Sequence, residues 1–336
     1  MRNMNEDIGY SYGLGSWRAL VARHNIEMDI KQLRYFVKVV ELKNITAAAQ
    51  ALFIAQPSLS QHMANLESAL DVKLLNRSVN GTSPTVMGDL LYQHAKNILR
   101  QLDEAQAAIR NESQTPSGRV AIGFPTSTSR IVSASLLERL HKCYPLIQLE
   151  LVEASSGELA GLVASDRLAL AITMNARLDK RVSIEPILQE ELFVVLAPSK
   201  NRSNQLDVKT LSELPLLLPT YPNSVRVITE RLFVERHLNF NVIAETSAVE
   251  ILILSVERGL GVTVLPFAAF ALAQQHGRVV GIPLKGKPLI RELSLSVSTT
   301  AARSPAVQIV RNVLIEVIKE EILENRWLGV ELLKAN

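Results

Sequence analysis

The sequence predicts an α+β multidomain protein: a helical N-terminal part containing a helix-turn-helix, one long helix, and then an α/β remainder. Three observations carry this. Apolar residues follow helical spacing from Asp29 to about Ile109 with only short breaks. Gln114-Thr115-Pro116-Ser117-Gly118 then reads as a linker. Beyond it, period-2 segments alternate with helical ones, which is the grammar of βαβ units and predicts a twisted, mostly parallel sheet. At 336 residues the chain is long enough for two domains.

In the first part, Leu33, Phe36, Val37 and Val40 mark an amphipathic helix. Thr46 is the expected N-cap of a short helix, Ala47–Leu52, and Phe53-Ile54-Ala55 makes a tight connection. Pro57 suits the first turn of the next helix, where a missing N–H costs nothing. Leu59, Met63, Leu66 and Leu70 form its buried stripe. Lys73–Pro84 is polar and contains Asn80-Gly81, a hairpin signal. Thr85 is expected to cap a long helix. Within it Leu91, Ala95, Ile98, Leu102, Ala105 and Ile109 are spaced 4, 3, 4, 3, 4. That seam suits lengthwise pairing with a partner helix; packing on its own domain is the alternative use.

After the linker, strands are expected at Arg119–Phe124, Ile147–Val152, Leu168–Thr173, Leu192–Ala197, Leu216–Pro219, Asn241–Glu245, Leu260–Leu265 and Glu292–Val297. Helices are expected at Ser129–His141, Val225–Arg236, Ala248–Arg258 and Pro305–Asn325. Asn325–Asn336, with Trp327, extends past the last of these, either as a lobe-packing tail or as an assembly contact.

Composition excludes several classes. The 36 basic and 33 acidic residues leave a formal charge of only +3, so nucleic-acid binding must be argued from placement. No run of about 18 uncharged apolar residues exists, which excludes a membrane-spanning helix. The single cysteine, Cys143, rules out a disulfide framework and is expected to be a packed thiol near Leu140. The six histidines show no ligand spacing, and no nucleophile elbow, H-E-x-x-H or P-loop occurs. Gly259-Leu260-Gly261 precedes a strand and reads as a helix C-cap and turn. No cofactor, metal or catalytic constellation is therefore expected. Residues 1–27 carry no continuous apolar core; they are expected to be a flexible tail, and the protein to be cytoplasmic.

The helix-turn-helix carries the functional signal. If Leu59, Met63 and Leu66 point inward, then Pro57, Ser58, Gln61 and Asn65 point out. Glutamine and asparagine can donate and accept together on an adenine edge, and serine can bond a base or a phosphate. The lack of arginine on this face argues against strong guanine preference. Arg77 and Lys73, just past the helix, are placed for phosphate contacts from a wing. A two-helix packing unit with a polar outside is the other reading of this pattern.

Here the residues resemble a family. Leu33-Arg34-Tyr35-Phe36-Val37, Thr46-Ala47-Ala48-Ala49-Gln50-Ala51-Leu52, Ala55-Gln56-Pro57-Ser58-Leu59-Ser60-Gln61 and Leu66-Glu67 look like the signature of LysR-type transcriptional regulators. Leu74-Leu75-Asn76-Arg77 and Pro84-Thr85-Val86-Met87-Gly88 resemble its wing and the start of its linker helix. Tyr92–Gln101 and Glu153–Gly157 resemble the family's nitrogen assimilation control branch. The resemblance implies a winged helix-turn-helix over 28–86, a dimerising linker helix over 87–113 and a hinge over 114–118. A periplasmic-binding-protein-like effector domain would follow over 119–325, with lobe I at about 119–191 and 294–325 and lobe II at about 192–293. Residues 326–336 would be a tail. It also implies a homodimer or homotetramer, as dimers of dimers on an interrupted inverted repeat in double-stranded promoter DNA, with RNA polymerase as partner. Gln56, Pro57, Ser60 and Gln61 would contact bases and backbone, and Thr46 and Arg77 phosphates. Ala55 departs from a common capping Ser or Thr, Gln61 from a common Arg, and Met87 from the usual Ala.

Phe124-Pro125-Thr126-Ser127-Thr128-Ser129 joins the first strand after the linker to a helix. Hydroxyls and free N–H groups there either form an anion site or simply cap the helix. The resemblance places Thr126, Ser127, Thr128, Thr220, Tyr221, Thr246 and Ser247 in an inter-lobe cleft that would hold a small anionic or organic effector. Two other function classes compete. A cytosolic α/β enzyme with a helical dimerisation arm needs a perturbed acid, base or nucleophile. A solute-binding protein needs a signal peptide and leaves Thr46–Leu66 unexplained.

Overall fold

The structure is a computed structural model that describes residues 28–78, 81–110, 116–174, 179–199 and 204–333, with no side-chain description at 104 and 107–110. The expected tail at 1–27, Asn80 of the hairpin signal, Gln114 and Thr115 of the linker, the side chain of Ile109 and residues 334–336 lie outside it. The chain divides into two compact units after Leu102.

The first unit opens with α1 (Ile30–Leu42), capped by Asp29, which exchanges hydrogen bonds with Gln32 in a capping box. α2 (Ile45–Ala51) is capped not by Thr46 but by Asn44, whose side-chain oxygen accepts from the Thr46 and Ala47 N–H groups at 2.9 and 3.0 Å. The Asn44 amide oxygen reaches two first-turn donors from just outside the helix, and Thr46 stands exposed within the first turn. α3 (Gln56–Leu70) starts at Ala55, which makes no side-chain cap bond, and carries Pro57 in its first turn. Phe36, Val39, Ala48, Leu59, Met63 and Leu66 close the core between the three helices.

A hairpin of β1 (Leu75–Ser78) and β2 (Gly81–Pro84) follows, with Arg77 opposite Thr82. Glu67, buried near the end of α3, accepts from the backbone N–H groups of Leu74 and Leu75 and from the Lys73 ammonium. Burial pushes its carboxyl up, but the two N–H groups and Lys73 outweigh this and hold it below the usual glutamate value. On the other side Thr82 N–H donates to the Lys43 carbonyl at 2.8 Å, with Gly81 at φ +131°; a Cβ there would lie 2.7 Å from that oxygen. Thr85 caps α4 (Val86–Arg110) by accepting from the Gly88 N–H at 3.0 Å.

The second unit begins with β3 (Gly118–Phe124), α5 (Thr126–Cys143), β4 (Ile147–Glu153), α6 (Ser156–Ala164) and β5 (Leu170–Met174). β3 lies between β4 and β5, parallel to both. β6 (Val182–Leu196) then crosses into a second half made of α7 (Val208–Glu213), β7 (Pro215–Pro219), α8 (Ser224–Glu235), β8 (Asn241–Thr246), α9 (Val249–Glu257), β9 (Thr263–Pro266), α10 (Phe267–Gln275) and β10 (Val280–Ile282). β11 (Leu289–Ser298) returns, antiparallel to β6 and β5, followed by α11 (Pro305–Leu323) and β12 (Val330–Leu332). The sheet order is β10-β6-β11-β5-β3-β4, with β9 and β12 also paired to β6, and β7-β8 a separate parallel pair.

Several expectations are corrected. The sheet is mixed, not mostly parallel, because two long strands carry the chain between the halves in opposite directions. β6 runs for 15 residues, whereas only its apolar end, from Leu192, was expected. The stretch before Leu192 carries Glu185, Glu190 and Glu191 and so lacks a strand's usual apolar alternation. α5 starts at Thr126, three residues before Ser129. Cys143 is the last residue of α5 and is exposed rather than packed, since the buried stripe of that helix runs through Val132, Leu136 and Leu140. α6, α7, α10, β10 and β12 were not anticipated. The tail past Asn325 packs against the sheet through β12.

Candidate nucleic-acid interface and inter-lobe site

α3 is built so that one side is core and the other is amide and hydroxyl. Leu59, Met63 and Leu66 are buried, while Gln56, Pro57, Ser58, Gln61 and Asn65 are exposed and Ser60 is half-buried. The polar groups are arranged in one-turn pairs. Gln56 Nε2 donates to Ser60 Oγ at 2.9 Å, and Gln61 Nε2 to Asn65 Oδ1 at 2.8 Å. Each pair holds a side chain upright at the cost of one donor and leaves the glutamine carbonyl and the Asn65 amide to reach outward. Thr46 is exposed on α2, and Arg77 is exposed on β1. Lys73 faces solvent but ion-pairs with Glu67 at 3.2 Å, so its charge is already used in fixing the hairpin.

The turn between α2 and α3 holds a residue the sequence did not single out. Phe53 is 95% exposed and sits at φ +56°, a left-handed conformation uncommon for a bulky side chain. The apolar stripe of α4 is divided. Ala95 is buried against Leu33 and Val37 of α1, with Leu91 and Leu99 packed beside it. Ile98 is 39% exposed, Leu102 half-buried and Ala105 exposed. Val86, Met87 and Leu90 are exposed as well, a patch that the seam pattern passed over.

In the second unit the predicted cleft residues fare differently. Ser127 is buried, and its hydroxyl accepts from Arg291 Nη2 at 3.1 Å. Thr128 is buried, with no hydrogen-bond partner for its Oγ1 among the described residues. Thr126 and Thr220 are half-buried. Tyr221 is exposed, with the Arg226 guanidinium 5.1 Å from its ring centre. Arg226 is buried and ion-pairs with Glu230 at 2.6 Å and Glu245 at 2.8 Å. Burial, then the Glu245 charge, push the Glu230 carboxyl above its usual value. Thr246 Oγ1 accepts from the Ala248 N–H at 3.1 Å, a local use, while Ser247 is exposed. Contacts between the halves include Arg130 of α5, which reaches Glu250 of α9 at 3.0 Å and the Ala269 carbonyl of α10 at 3.4 Å, and Ser224 Oγ, 3.3 Å from Met174 Sδ. Sequence reasoning missed Arg226, Glu190 and Arg291, because a buried charge looks like any surface charge until its partner is located.

Among the described residues no helix is long and apolar enough to cross a membrane, and no group of His, Cys, Asp and Glu could hold a metal ion. Residues 30–89 match the family described as bacterial regulatory helix-turn-helix protein, lysR family, and residues 113–319 match the LysR substrate binding domain. The nitrogen assimilation regulatory protein nac of Klebsiella aerogenes is 33% identical over 90% of this chain and 99% of its own. That of Escherichia coli is 34% identical over 89% and 98%. Full-length CbnR in complex with its target DNA has the same fold, with a TM-score of 0.65, 19% identity and coverage of 87% of this chain and 99% of that one.

Proposed function

This chain belongs to the LysR family of DNA-binding transcriptional regulators, and from that premise we propose that it reads an interrupted inverted repeat near promoters as a dimer of dimers. The observation that carries this is the outer row of α3, where five polar or compact side chains stand exposed over a fully buried stripe. Gln56, Pro57, Ser58, Ser60, Gln61 and Asn65 meet bases and nearby backbone in the major groove, and Thr46 and Arg77 hold phosphates. Residues 28–86 form the reading domain and 87–113 the linker helix, with 119–325 as the effector domain. The part of the α4 stripe left open, from Ile98 onward, pairs with a second copy. Likeness to the two nac proteins supports promoters of nitrogen-responsive genes as targets.

Control comes from the two halves of the second unit. A small anionic or organic effector between them would meet Thr126, Thr128, Thr220, Tyr221 and Ser247, and would compete with Arg291 for Ser127. The change in their spacing alters how dimers sit on and bend promoter DNA, and with it contact to RNA polymerase. On this reading the protein is a binding module without catalysis, working where the chromosome is, in the cytoplasm. In vitro selection from random duplex DNA with the purified full-length chain tests it. Enrichment of a spaced inverted repeat is the expected result; a folded dimer that enriches nothing at moderate salt, with or without candidate effectors, overturns it.

A further inference from the structure

The tail after α11 is tied to the crossing of the two long strands. β6 leaves one apolar core at Leu188 and enters the other at Leu192, and β11 does the reverse between Leu289 and Leu293. Midway, Glu190 and Arg291 are register partners, both buried. Arg291 Nε and Nη2 reach one oxygen of Glu190 at 2.8 and 2.7 Å. The other oxygen accepts the indole N–H of Trp327 at 3.0 Å, and Arg291 Nη2 also donates to Ser127 Oγ in the first turn of α5. Four groups from four segments distant in sequence thus satisfy one another out of water.

The tail is held along its length. The Trp327 backbone N–H donates to the Glu321 carbonyl at 3.0 Å, and Arg326 pairs with the buried Glu321 carboxylate. Glu191 N–H donates to the Gly329 carbonyl at 2.7 Å, and Leu333 N–H to that of Ile187 at 3.0 Å. Gly329 stands at φ +70°, and a Cβ there would come 2.7 Å from the Phe193 ring, so the turn lies tight on β6. A buried ion pair is stable only with its remaining hydrogen-bond sites filled, and Trp327 fills the last acceptor of this one.

We infer that Trp327–Leu333 is a strap that sets how the two halves are held, with Trp327 a positioning residue acting through Glu190 and Arg291 on the first turn of α5. Without the indole N–H, one oxygen of Glu190 is left buried and undonated, and the pair draws in water at the strand crossing. Arg291 then loosens its hold on Ser127. The coupling runs both ways, so a ligand that takes Ser127 from Arg291 also loosens the strap; that last step alone rests on the cleft reading above.

Amide hydrogen exchange on the full-length chain tests this. Trp327→Phe keeps the ring and removes the donor. Exchange is expected to rise several-fold at 188–192, at 289–293 and at 126–130, with α1–α3 unchanged. A rise confined to 187–191, or none, overturns the inference and makes the tail mere cover for a strand edge. A second arm replaces the pair by apolar side chains, Glu190→Leu with Arg291→Met; in that background Trp327→Phe should no longer move 126–130, and persistence of its effect overturns the relay. If Trp327→Phe lowers the yield of folded protein, Ser127→Ala reads the connection from its other end. Exchange at 327–333 should then rise, and an unmoved tail overturns the inference.

Discussion

The carboxylate of Glu67 accepts the backbone N–H of Leu74 at 2.9 Å, and this bond ties the start of the hairpin to the last turn of α3. Because Leu74, Leu75 and Lys73 together hold the carboxyl below its usual value, the charged form is the one that stabilises the fold. Its contribution is complete above the unfolded glutamate value of 4.5 and is lost as pH falls from there through the folded value. Glu67→Ala should cost about 1–3 kcal/mol by leaving two buried N–H groups unpaired. Denaturant unfolding followed by exchange protection of α1–α3, at neutral pH and at about pH 4, checks both the size and the sign.

Gln61 and Arg77 should separate cleanly. Gln61→Ala should relax base preference at one operator position, by roughly 1–3 kcal/mol. Arg77→Ala should weaken all sequences about equally and lower the slope of log affinity against log salt by about one. Affinity measured over a panel of single-base operator variants at several salt concentrations distinguishes them. An altered base preference with an unchanged salt slope for Arg77→Ala would remove its assignment to phosphate.

Phe53→Asn should stabilise the free protein. Asparagine tolerates positive φ, and an aromatic ring 95% exposed gives up little burial when it is removed. The expected gain is about 1 kcal/mol in unfolding free energy, read as a raised denaturant midpoint at unchanged slope. A loss of stability would mean that the ring is covered in the assembled protein.

The divided stripe of α4 makes opposite forecasts for two neighbours. Ala95→Asp places a charge against Leu33 and Val37 and should destabilise the first unit by more than about 2 kcal/mol. Ile98→Asp, at a partly exposed position, should leave that unit folded and weaken self-association instead. Unfolding curves and sedimentation velocity on both variants settle the division; equal effects on both properties would mean the stripe is not split.

How far the sequence could be read depends on the range of the interactions involved. The helix-turn-helix was legible because its signals are local: a four-three spacing that buries Leu59, Met63 and Leu66, and a proline that begins a helix without losing a bond. Even there the cap was misplaced by two residues, since Asn44 and Thr46 are both capping residues and only the backbone path chooses between them. β3 and β4 are legible from a period-2 sequence pattern and β5 from a short apolar run, signals that lie within each segment. The stretch of β6 before Leu192 was missed because its glutamates carry the composition of a surface segment.

By itself, then, the sequence determined the helix-turn-helix, the polar face of α3, most of the strands that follow and the family these residues resemble. Tertiary structure alone decided that the sheet is woven by antiparallel strands, that Ala95 is used inside the chain, and that Glu190, Arg291, Ser127 and Trp327 form one group. The physical reason is that periodicity and capping act over a few residues. A buried charge is permitted only by a partner that can lie 101 residues away, as Glu190 does from Arg291, and nothing in the local pattern names that partner.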